Sequence, residues 1–374
     1  MPQDFLKRPF AIQWRWVVVR LDRLVPTPVV HLTSPHPPYP SVIRIPSRDE
    51  HYIKLHVFVP PKSQYPTDHG FSVHLDFHGG SFTMGSCLEQ APFCSMLARE
   101  KGKIVISVDY RMGPSYQFPV AIQDGEDVLK AVLNPSSPAG STLREVILHK
   151  TAIRTDKDIL DTSRISFSGF SSGGNLAFNL AFSADGDKGE WPSLLPTDGD
   201  RPIPMLLFYP SFDQTRLPHE RTMPEHLQTP EGSKPSHMKL DDHLMPTYLP
   251  KEQREHPRSS PGLQDMSGLN KRTRFFLVLP EIDSLGPQAE EWVKKMGREG
   301  RGDDLVVKRY WGMKHGWTQF PDLFLKKNAK AEKRRVFQEA LDYLDDIEAT
   351  TIKTVKRHSS DDSDPEKRHT SSDS

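Results

Sequence analysis

The sequence predicts an α/β fold with a mostly parallel central sheet and helices on both faces. Two observations lead to this prediction. Candidate strands and helices alternate along the chain, which favours parallel strands joined by helical crossovers. Residues 103–109 have the sequence KIVISVD, and a nearly continuous apolar run of this kind is typical of a strand buried on both faces.

The predicted elements follow in order along the chain. Strands are predicted near residues 41–45, 52–59, 71–77, 103–109, 163–168, 205–209, 274–279 and 305–310. Helices are predicted near residues 120–133, 174–182 and 329–347. The strands at 71–77 and 163–168 are each followed by glycines, so we expect sharp turns at their ends.

The alternation divides the chain into a core, at residues 41–213 and 263–348, and three other segments. Residues 214–262 hold many prolines, histidines and charges between two strands, and we expect them to form a cap over a ligand site. Residues 1–40, which end in a proline-rich linker, are a candidate second part of that cap. The tail at 354–374 has no apolar periodicity, and we expect it to be disordered.

Composition excludes several classes of function. Lysine plus arginine and aspartate plus glutamate each number 49 in 374 residues, so the formal charge is zero and we expect no nucleic-acid partner. Cys87 and Cys94 match no zinc spacing, and we expect both to be buried on one helix. The chain has no dinucleotide-binding or phosphate-binding glycine motif, and its cap histidines lack metal-protease spacing. We therefore expect neither cofactor nor metal.

The first residues do not resemble a secretory signal, because Asp4, Lys7 and Arg8 come early and no small-residue cleavage site follows an apolar core. We therefore expect a cytoplasmic protein. The apolar stretch at 14–21 is too short to span a bilayer and contains arginines. We favour the interpretation that it covers a pocket or the core. Contact with a membrane surface through its tryptophans is the alternative.

A serine between a strand and a helix is the strongest functional signal. The run Gly169-Phe170-Ser171-Ser172-Gly173 follows the β-prone segment 163–168 and precedes an apolar helix. A turn this sharp exposes the serine hydroxyl above the sheet, and small glycines keep other side chains away from it. The sequence therefore predicts Ser171 as a catalytic nucleophile.

A serine nucleophile needs a base to take its proton and an acid to orient that base. In enzymes with this turn, the chain order is serine, acid, histidine. Asp283 follows the strand at 274–279, and His315 follows the strand at 305–310. The sequence thus predicts a Ser171–Asp283–His315 triad, with Glu281 as the less favoured acid.

A second glycine motif predicts an oxyanion hole. His78-Gly79-Gly80 directly follows the strand at 71–77, and glycines allow backbone N–H groups to approach a developing negative charge. We expect the hole to consist of the N–H groups of Gly79, Gly80 and Ser172.

These motifs together resemble the hormone-sensitive-lipase-like branch of the α/β-hydrolase fold, the His-Gly-Gly carboxylesterases, over roughly residues 40–347. Further matching segments are Asp109-Tyr110-Arg111-Met112-Gly113-Pro114, Phe118-Pro119-Val120-Ala121, Asp124-Gly125, Ser260-Pro261, Asp283-Ser284-Leu285 and His315-Gly316. The chain departs from the family at the turn formed by residues 169–173, which we name the elbow. There, Phe170 replaces the usual aspartate. Ser81, Ser115 and Ser284 replace a third glycine, a glutamate and a proline, respectively.

The resemblance implies an α/β-hydrolase fold with a cap insertion and a serine hydrolase that cleaves small-molecule carboxylic esters. Two alternatives remain open. The gibberellin receptors resemble this branch, so the chain could be a non-catalytic small-molecule receptor. Amidases and lactonases use the same triad, and the preference for a leaving group depends on the cap and pocket. Because no long apolar lid is visible, we expect short to medium acyl chains.

Overall fold

The computed structural model describes residues 36–184, 191–224, 227 and 236–361. The described residues form an eight-stranded sheet with the strand order β1-β2-β4-β3-β5-β6-β7-β8. The strands are β1 Ser41–Pro46, β2 Tyr52–Phe58, β3 Phe71–Phe77, β4 Ile104–Asp109, β5 Leu160–Phe170, β6 Ile203–Phe208, β7 Thr273–Ile282 and β8 Leu305–Lys314. Strand β2 is antiparallel to both neighbours, and the other neighbouring pairs are parallel. The predicted mostly parallel sheet is confirmed.

Seven helices of the described residues connect or cover these strands. They are α1 Ala91–Lys101, α2 Val120–Leu133, α3 Pro138–Thr151, α4 Ser172–Leu180, α5 Ser236–Tyr248, α6 Gly286–Arg298 and α7 Lys327–Asp361. Within this part of the chain, no helix is long and apolar enough to cross a membrane.

The sheet separates two apolar cores, because successive residues of a strand face opposite sides. Leu207 and Leu277 belong to the core that packs against α2, α3, α4 and α6. Phe208 and Val278, the next residue on each strand, belong to the core beneath α1 and α7. Both faces of the central strands are therefore buried, which explains their nearly continuous apolar sequences.

Two details differ from the sequence predictions. Cys94 lies on α1, but Cys87 lies in the turn before this helix, which begins only at Ala91; both cysteines are buried, as expected. Helix α7 continues to Asp361, past the predicted end near 347 and into the segment predicted as a disordered tail. Residues 348–361 lack proline and glycine, so nothing interrupts the hydrogen-bond ladder of the helix. Residues 1–35 and 362–374 lie outside the described residues.

A fully buried polar network crosses the sheet between β4, β3 and β5. The Ser168 and Ser107 hydroxyls donate to Oδ1 and Oδ2 of Asp76 at 2.6 and 2.7 Å. Both ring nitrogens of His74 hydrogen-bond to serine hydroxyls, Nδ1 to Ser166 at 2.9 Å and Nε2 to Ser168 at 2.8 Å. Burial raises the pKa of Asp76 to about 6 and lowers the pKa of His74. The network thus holds a carboxyl group that changes charge near neutral pH.

The variant Asp76→Asn should destabilise the protein by an amount that depends on pH. A carboxyl group with a higher pKa in the folded state holds its proton more tightly there, so its contribution to stability is greatest at low pH and is lost as the pH rises through the folded pKa. For a folded pKa of about 6 and an unfolded value of about 3.9, that loss is on the order of 1 kcal/mol between about pH 5 and about pH 8.

Because asparagine does not titrate, urea unfolding at these two pH values should show a larger difference between native protein and variant at the lower pH. The exposed residue Asp68 supplies the matched control, Asp68→Asn, for which the difference should be the same at both pH values. An equal cost of Asp76→Asn at both pH values would contradict the assignment.

Candidate active site

The candidate nucleophile Ser171 lies at the turn between β5 and α4 in a strained backbone conformation. Its φ and ψ are 54° and −116°, a region that residues with a side chain rarely adopt. Two backbone hydrogen bonds hold the turn, because Ser171 N–H donates to the Phe208 carbonyl at 2.9 Å and Ser211 N–H donates to the Ser171 carbonyl at 3.2 Å. The sharp turn predicted from the glycine motif is therefore present.

Close backbone packing explains why glycines flank this serine. A Cβ atom on Gly173 would lie 2.1 Å from the Phe77 carbonyl oxygen, and one on Gly169 would lie 2.2 Å from the Gly173 carbonyl oxygen. Neither separation is sterically allowed, and both neighbouring atoms belong to backbone. The elbow can therefore press against the end of β3 only with glycine at these two positions.

Strand pairing brings Asp283 and His315 together. Ile282, at the end of β7, pairs with Lys314, at the end of β8, so the residues that follow them leave the sheet side by side. His315 N–H donates to the Ile282 carbonyl at 3.0 Å. The Asp283 side chain is held in turn by the Leu285 N–H, which donates to Oδ1 at 2.8 Å.

Ser171, His315 and Asp283 form one continuous line of hydrogen bonds. His315 Nε2 lies 3.0 Å from Ser171 Oγ, and His315 Nδ1 lies 2.7 Å from Asp283 Oδ2. Asp283 and Ser171 are buried, with 2% and 7% of their surfaces exposed, whereas the His315 side chain is 36% exposed. The imidazole is therefore the part of this line that reaches solvent, whereas the carboxylate and the serine are buried.

The alternative acid lies elsewhere. Glu281 Oε2 accepts a hydrogen bond from the Gly312 N–H at 2.6 Å. Glu281 and Asp283 are two residues apart at the end of β7, and Asp283 is the one that contacts the imidazole.

The three predicted oxyanion-hole residues adjoin the elbow. Gly80 has a φ of +127°, which only glycine adopts readily, and a Cβ atom there would lie 2.1 Å from the Met84 carbonyl oxygen. Ser172 begins α4 and is buried. Within the described part of the chain, the N–H groups of Gly79, Gly80 and Ser172 donate to no backbone carbonyl.

The residues just after β4 hold the loop at residues 78–82, which we name the glycine loop. The Tyr110 hydroxyl donates to the His78 carbonyl at 2.8 Å, and the two rings stack with their centroids 4.3 Å apart. Arg111 binds the fully buried Asp124 on α2 through two nitrogens, Nε at 3.0 Å and Nη2 at 2.8 Å from Oδ1. Tyr110 thus braces the loop directly, and the Arg111–Asp124 pair ties the segment after β4 to α2.

Phe170 replaces the family's aspartate and has a structural role. Its ring is buried between other aromatic rings, stacking on Phe208 at 4.3 Å and contacting Phe93 edge-on at 5.7 Å. The residue before the candidate nucleophile therefore anchors the turn in the core beneath α1 and α7.

Sequence reasoning missed Tyr209, which directly follows β6. Its φ is 40°, and its ring meets the His315 ring edge-on with centroids 4.9 Å apart. The Tyr209 hydroxyl makes a very short hydrogen bond with Thr318, and burial raises the pKa of the phenol. The buried Tyr209 ring thus packs directly against the imidazole. A tyrosine directly after an apolar strand that ends at the same sheet edge was the available signal.

A narrow apolar crevice lies beside the elbow. It is lined by Phe82 from the glycine loop, Ile122 from α2, Asn175 from α4, and Tyr248 and Leu249 at the end of α5. The Tyr248 ring stacks on Phe82 with centroids 4.7 Å apart. Among the described residues, no three His, Cys, Asp or Glu side chains lie together as a metal site requires.

One family model matches about two thirds of the chain. The family model Abhydrolase_3, described as the α/β hydrolase fold, matches residues 74–319, which include all six predicted site residues.

Several curated proteins are similar to parts of the chain. A gibberellin receptor of Arabidopsis thaliana is 30% identical over 205 residues, which are 53% of this chain and 48% of that protein. The 2-hydroxyisoflavanone dehydratase of Glycine max is 32% identical over 36% of this chain and 40% of its own length. An ethyl acetate hydrolase of Pseudomonas putida is 28% identical over 38% of each. The chain thus spans half or less of the length of these relatives.

Solved structures share the fold over nearly the whole chain. A thermostable carboxylesterase from a metagenomic library superposes with a TM-score of 0.62 at 23% identity, covering 91% of this chain and 98% of that one. An esterase of Pyrobaculum calidifontis superposes with a TM-score of 0.60 at 22% identity, covering 89% and 97%. At these identities, the likeness establishes the fold alone, and the predicted α/β-hydrolase fold is confirmed.

The close contact of the elbow with β3 predicts a large effect of Gly173→Ala. The added methyl group has no room beside the Phe77 carbonyl, so we expect a loss of more than about 3 kcal/mol in the free energy of unfolding, or failure to fold. The matched control is Gly297→Ala on α6, where no atom lies within 4 Å of the new Cβ. That variant should be neutral or more stable by up to about 1 kcal/mol. Urea unfolding of both variants measures the difference, and equal stability would show that the elbow is not tightly packed.

Proposed function

Because this chain belongs to the Abhydrolase_3 family of the α/β hydrolase fold, the hormone-sensitive-lipase-like carboxylesterases, we propose that it is a serine hydrolase that cleaves small carboxylic esters. The observation that carries the proposal is the contact of His315 Nε2 with Ser171 Oγ at 3.0 Å while Nδ1 contacts Asp283 at 2.7 Å. A base in hydrogen-bond reach of a hydroxyl, itself oriented by a carboxylate, is the arrangement that activates serine.

The proposed reaction has two steps. Ser171 Oγ attacks the ester carbonyl carbon while its proton moves to His315 Nε2, and the carbonyl oxygen becomes an oxyanion. When this intermediate collapses, His315 gives the proton to the departing alcohol and the acyl group stays on Ser171. The oxygen of a water molecule then attacks the acyl carbon while His315 Nε2 takes a proton from the water. The bond from the acyl carbon to Ser171 Oγ breaks, His315 returns the proton to Oγ, and the carboxylic acid leaves.

The other predicted residues have supporting roles in this proposal. The Asp283 carboxylate accepts a hydrogen bond from Nδ1–H of His315, which keeps the proton on Nδ1 and leaves Nε2 free to act as the base. The N–H groups of Gly79, Gly80 and Ser172 are proposed to stabilise the oxyanion. Tyr209 is proposed as a positioning residue that limits rotation of the imidazole.

A non-catalytic receptor is the second candidate, because a gibberellin receptor is among the similar proteins. The intact hydrogen-bonded line from Ser171 to Asp283 favours catalysis, since a receptor does not need a base on its serine. Amidase or lactonase activity would use the same three residues, and turnover of amides and lactones beside esters distinguishes these enzymes.

The triad hypothesis predicts the effects of single substitutions. Ser171→Ala and His315→Ala should each lower kcat for p-nitrophenyl acetate by about a thousandfold or more, and Asp283→Asn by about a hundredfold or more. The matched controls are Ser141→Ala and His149→Ala, both at exposed positions of α3, which should keep native activity. Native-like hydrolysis by Ser171→Ala would refute the proposal. Tight ligand binding by a native protein that turns over no ester would instead favour the receptor.

The packing around Tyr248 supports a preference for short acyl chains. We infer that residues 214–262 form a cap, because α5 ends with Tyr248 stacked on Phe82 and with the Tyr248 carbonyl accepting the Phe118 N–H at 2.9 Å. Those contacts narrow the space into which a long chain would extend.

Across p-nitrophenyl esters from acetate to palmitate, kcat/KM should therefore be greatest for short to medium chains and at least about tenfold lower for palmitate, because a long chain would have to displace packed aromatic rings. Replacing Tyr248 by Ala should move the optimum to longer chains. A clear maximum at palmitate in the native enzyme would contradict the inferred cap.

A further inference from the structure

Three large apolar side chains are exposed together just after the His315 loop. Phe320, Leu323 and Phe324 have 54%, 84% and 75% of their surfaces accessible to solvent. They belong to residues 320–325, which we name the apolar turn. Single exposed apolar residues are common, but a group with such exposure within five residues marks an interaction surface.

The apolar turn is held in place by helix α7. Lys333 Nζ donates to the Phe320 carbonyl at 2.9 Å and forms an ion pair with Asp322 at 3.3 Å. Asp322–Phe324 form one turn of 3₁₀ helix. The exposure of Leu323 and Phe324 is therefore built into an ordered turn.

The apolar turn also borders the candidate active site. A Cβ atom on Gly316, the residue after His315, would lie 3.9 Å from Cε2 of Phe320. The Gln319 N–H donates to the Gly316 carbonyl at 2.9 Å. A surface that covered the apolar turn would thus lie next to the histidine side, from which Ser171 is reached.

Basic side chains flank the apolar turn on both sides in sequence. Lys326 and Lys327 are exposed, as is Lys314 beside His315. Within the described residues, Lys314, Lys326, Lys327 and Lys330 have no carboxylate within ion-pair distance, whereas Arg334 is paired with Asp322. The surface therefore combines exposed hydrocarbon with uncompensated positive charge.

We propose that the apolar turn and its flanking lysines dock this protein on an anionic phospholipid surface. Such a surface offers hydrocarbon to Leu323 and Phe324 and negative head groups to the lysines, which is how peripheral proteins bind membranes. The proposal does not depend on the proposed hydrolysis, because binding requires neither the base nor the nucleophile.

Charge and interface area argue against two other occupants of this surface, a second copy of the chain and residues 1–35. In a symmetric dimer, the same surface of each copy meets the other, so the unpaired lysines would face one another. Three side chains also provide much less than the roughly 800 Å² per partner of a stable interface. Residues 1–35 contain five basic and two acidic side chains, and their positive balance disfavours contact with the lysines.

Vesicle sedimentation of the full chain tests the proposal. The protein carries Ser171→Ala so that the lipids are not altered during the measurement. It is mixed with vesicles of phosphatidylcholine alone and of phosphatidylcholine with about a third phosphatidylserine. We expect binding to the anionic vesicles to be at least about tenfold tighter than binding to neutral ones, because each lysine near an anionic surface raises affinity by about fivefold.

Two pairs of substitutions test the two parts of the surface. Leu323→Asp with Phe324→Asp, and separately Lys326→Glu with Lys327→Glu, should each weaken anionic-vesicle binding by at least about tenfold. The matched controls are Val42→Asp, at an exposed position of β1 on the opposite edge of the sheet, and Lys62→Glu, also exposed. Both controls should bind as the parent does, and circular dichroism verifies that all variants are folded.

Three results would overturn the proposal. One is failure of the folded parent protein to bind anionic vesicles. Another is binding that neither pair of substitutions changes. The third is a dimer, detected by light scattering, that Leu323→Asp with Phe324→Asp dissociates, because this result would assign the apolar turn to a second copy of the chain.

Discussion

The hydrogen bond between His315 and Ser171 depends on the meeting of three strand ends at one edge of the sheet. The ends of β7 and β8 set Asp283 and His315 side by side through the pairing of Ile282 with Lys314. Ser171 follows the end of β5 in a turn that is possible only because Gly169 and Gly173 lie on either side of it. Each side chain is thus positioned by backbone, and the contact of 3.0 Å follows from the register of the sheet.

Backbone strain is concentrated near this contact. Ser171 and Tyr209 have positive φ values, as do Ser81 and Phe82 in the glycine loop. Each such residue costs on the order of 1–3 kcal/mol, and the surrounding cores supply the stabilisation that offsets it. Phe170 illustrates this relation, because its ring is locked among aromatic neighbours directly before the strained serine. The packed aromatic core therefore holds the strained turn in its conformation.

Much of this architecture could be predicted from local sequence. The helix predicted at 120–133 matches α2. The succession of strands along the chain and the three candidate triad residues follow from apolar runs that end in glycine or charged residues. The polar network around Asp76 could not be predicted, because it joins β3, β4 and β5, and their neighbourhood in the sheet is not apparent from sequence. The support of His315 by Tyr209 was missed for the same reason. The extent of α7 was underestimated because the apolar pattern ends before the helix does.

The central claim is that Ser171 is a nucleophile activated by His315, and covalent labelling tests it most directly. A fluorophosphonate probe should modify the folded protein at one residue, and peptide mass spectrometry should locate the phosphonyl group on Ser171 Oγ. Labelling should be lost in His315→Ala, which keeps the serine but removes its base. Modification of another residue, or a folded native protein that resists the probe, would contradict the account.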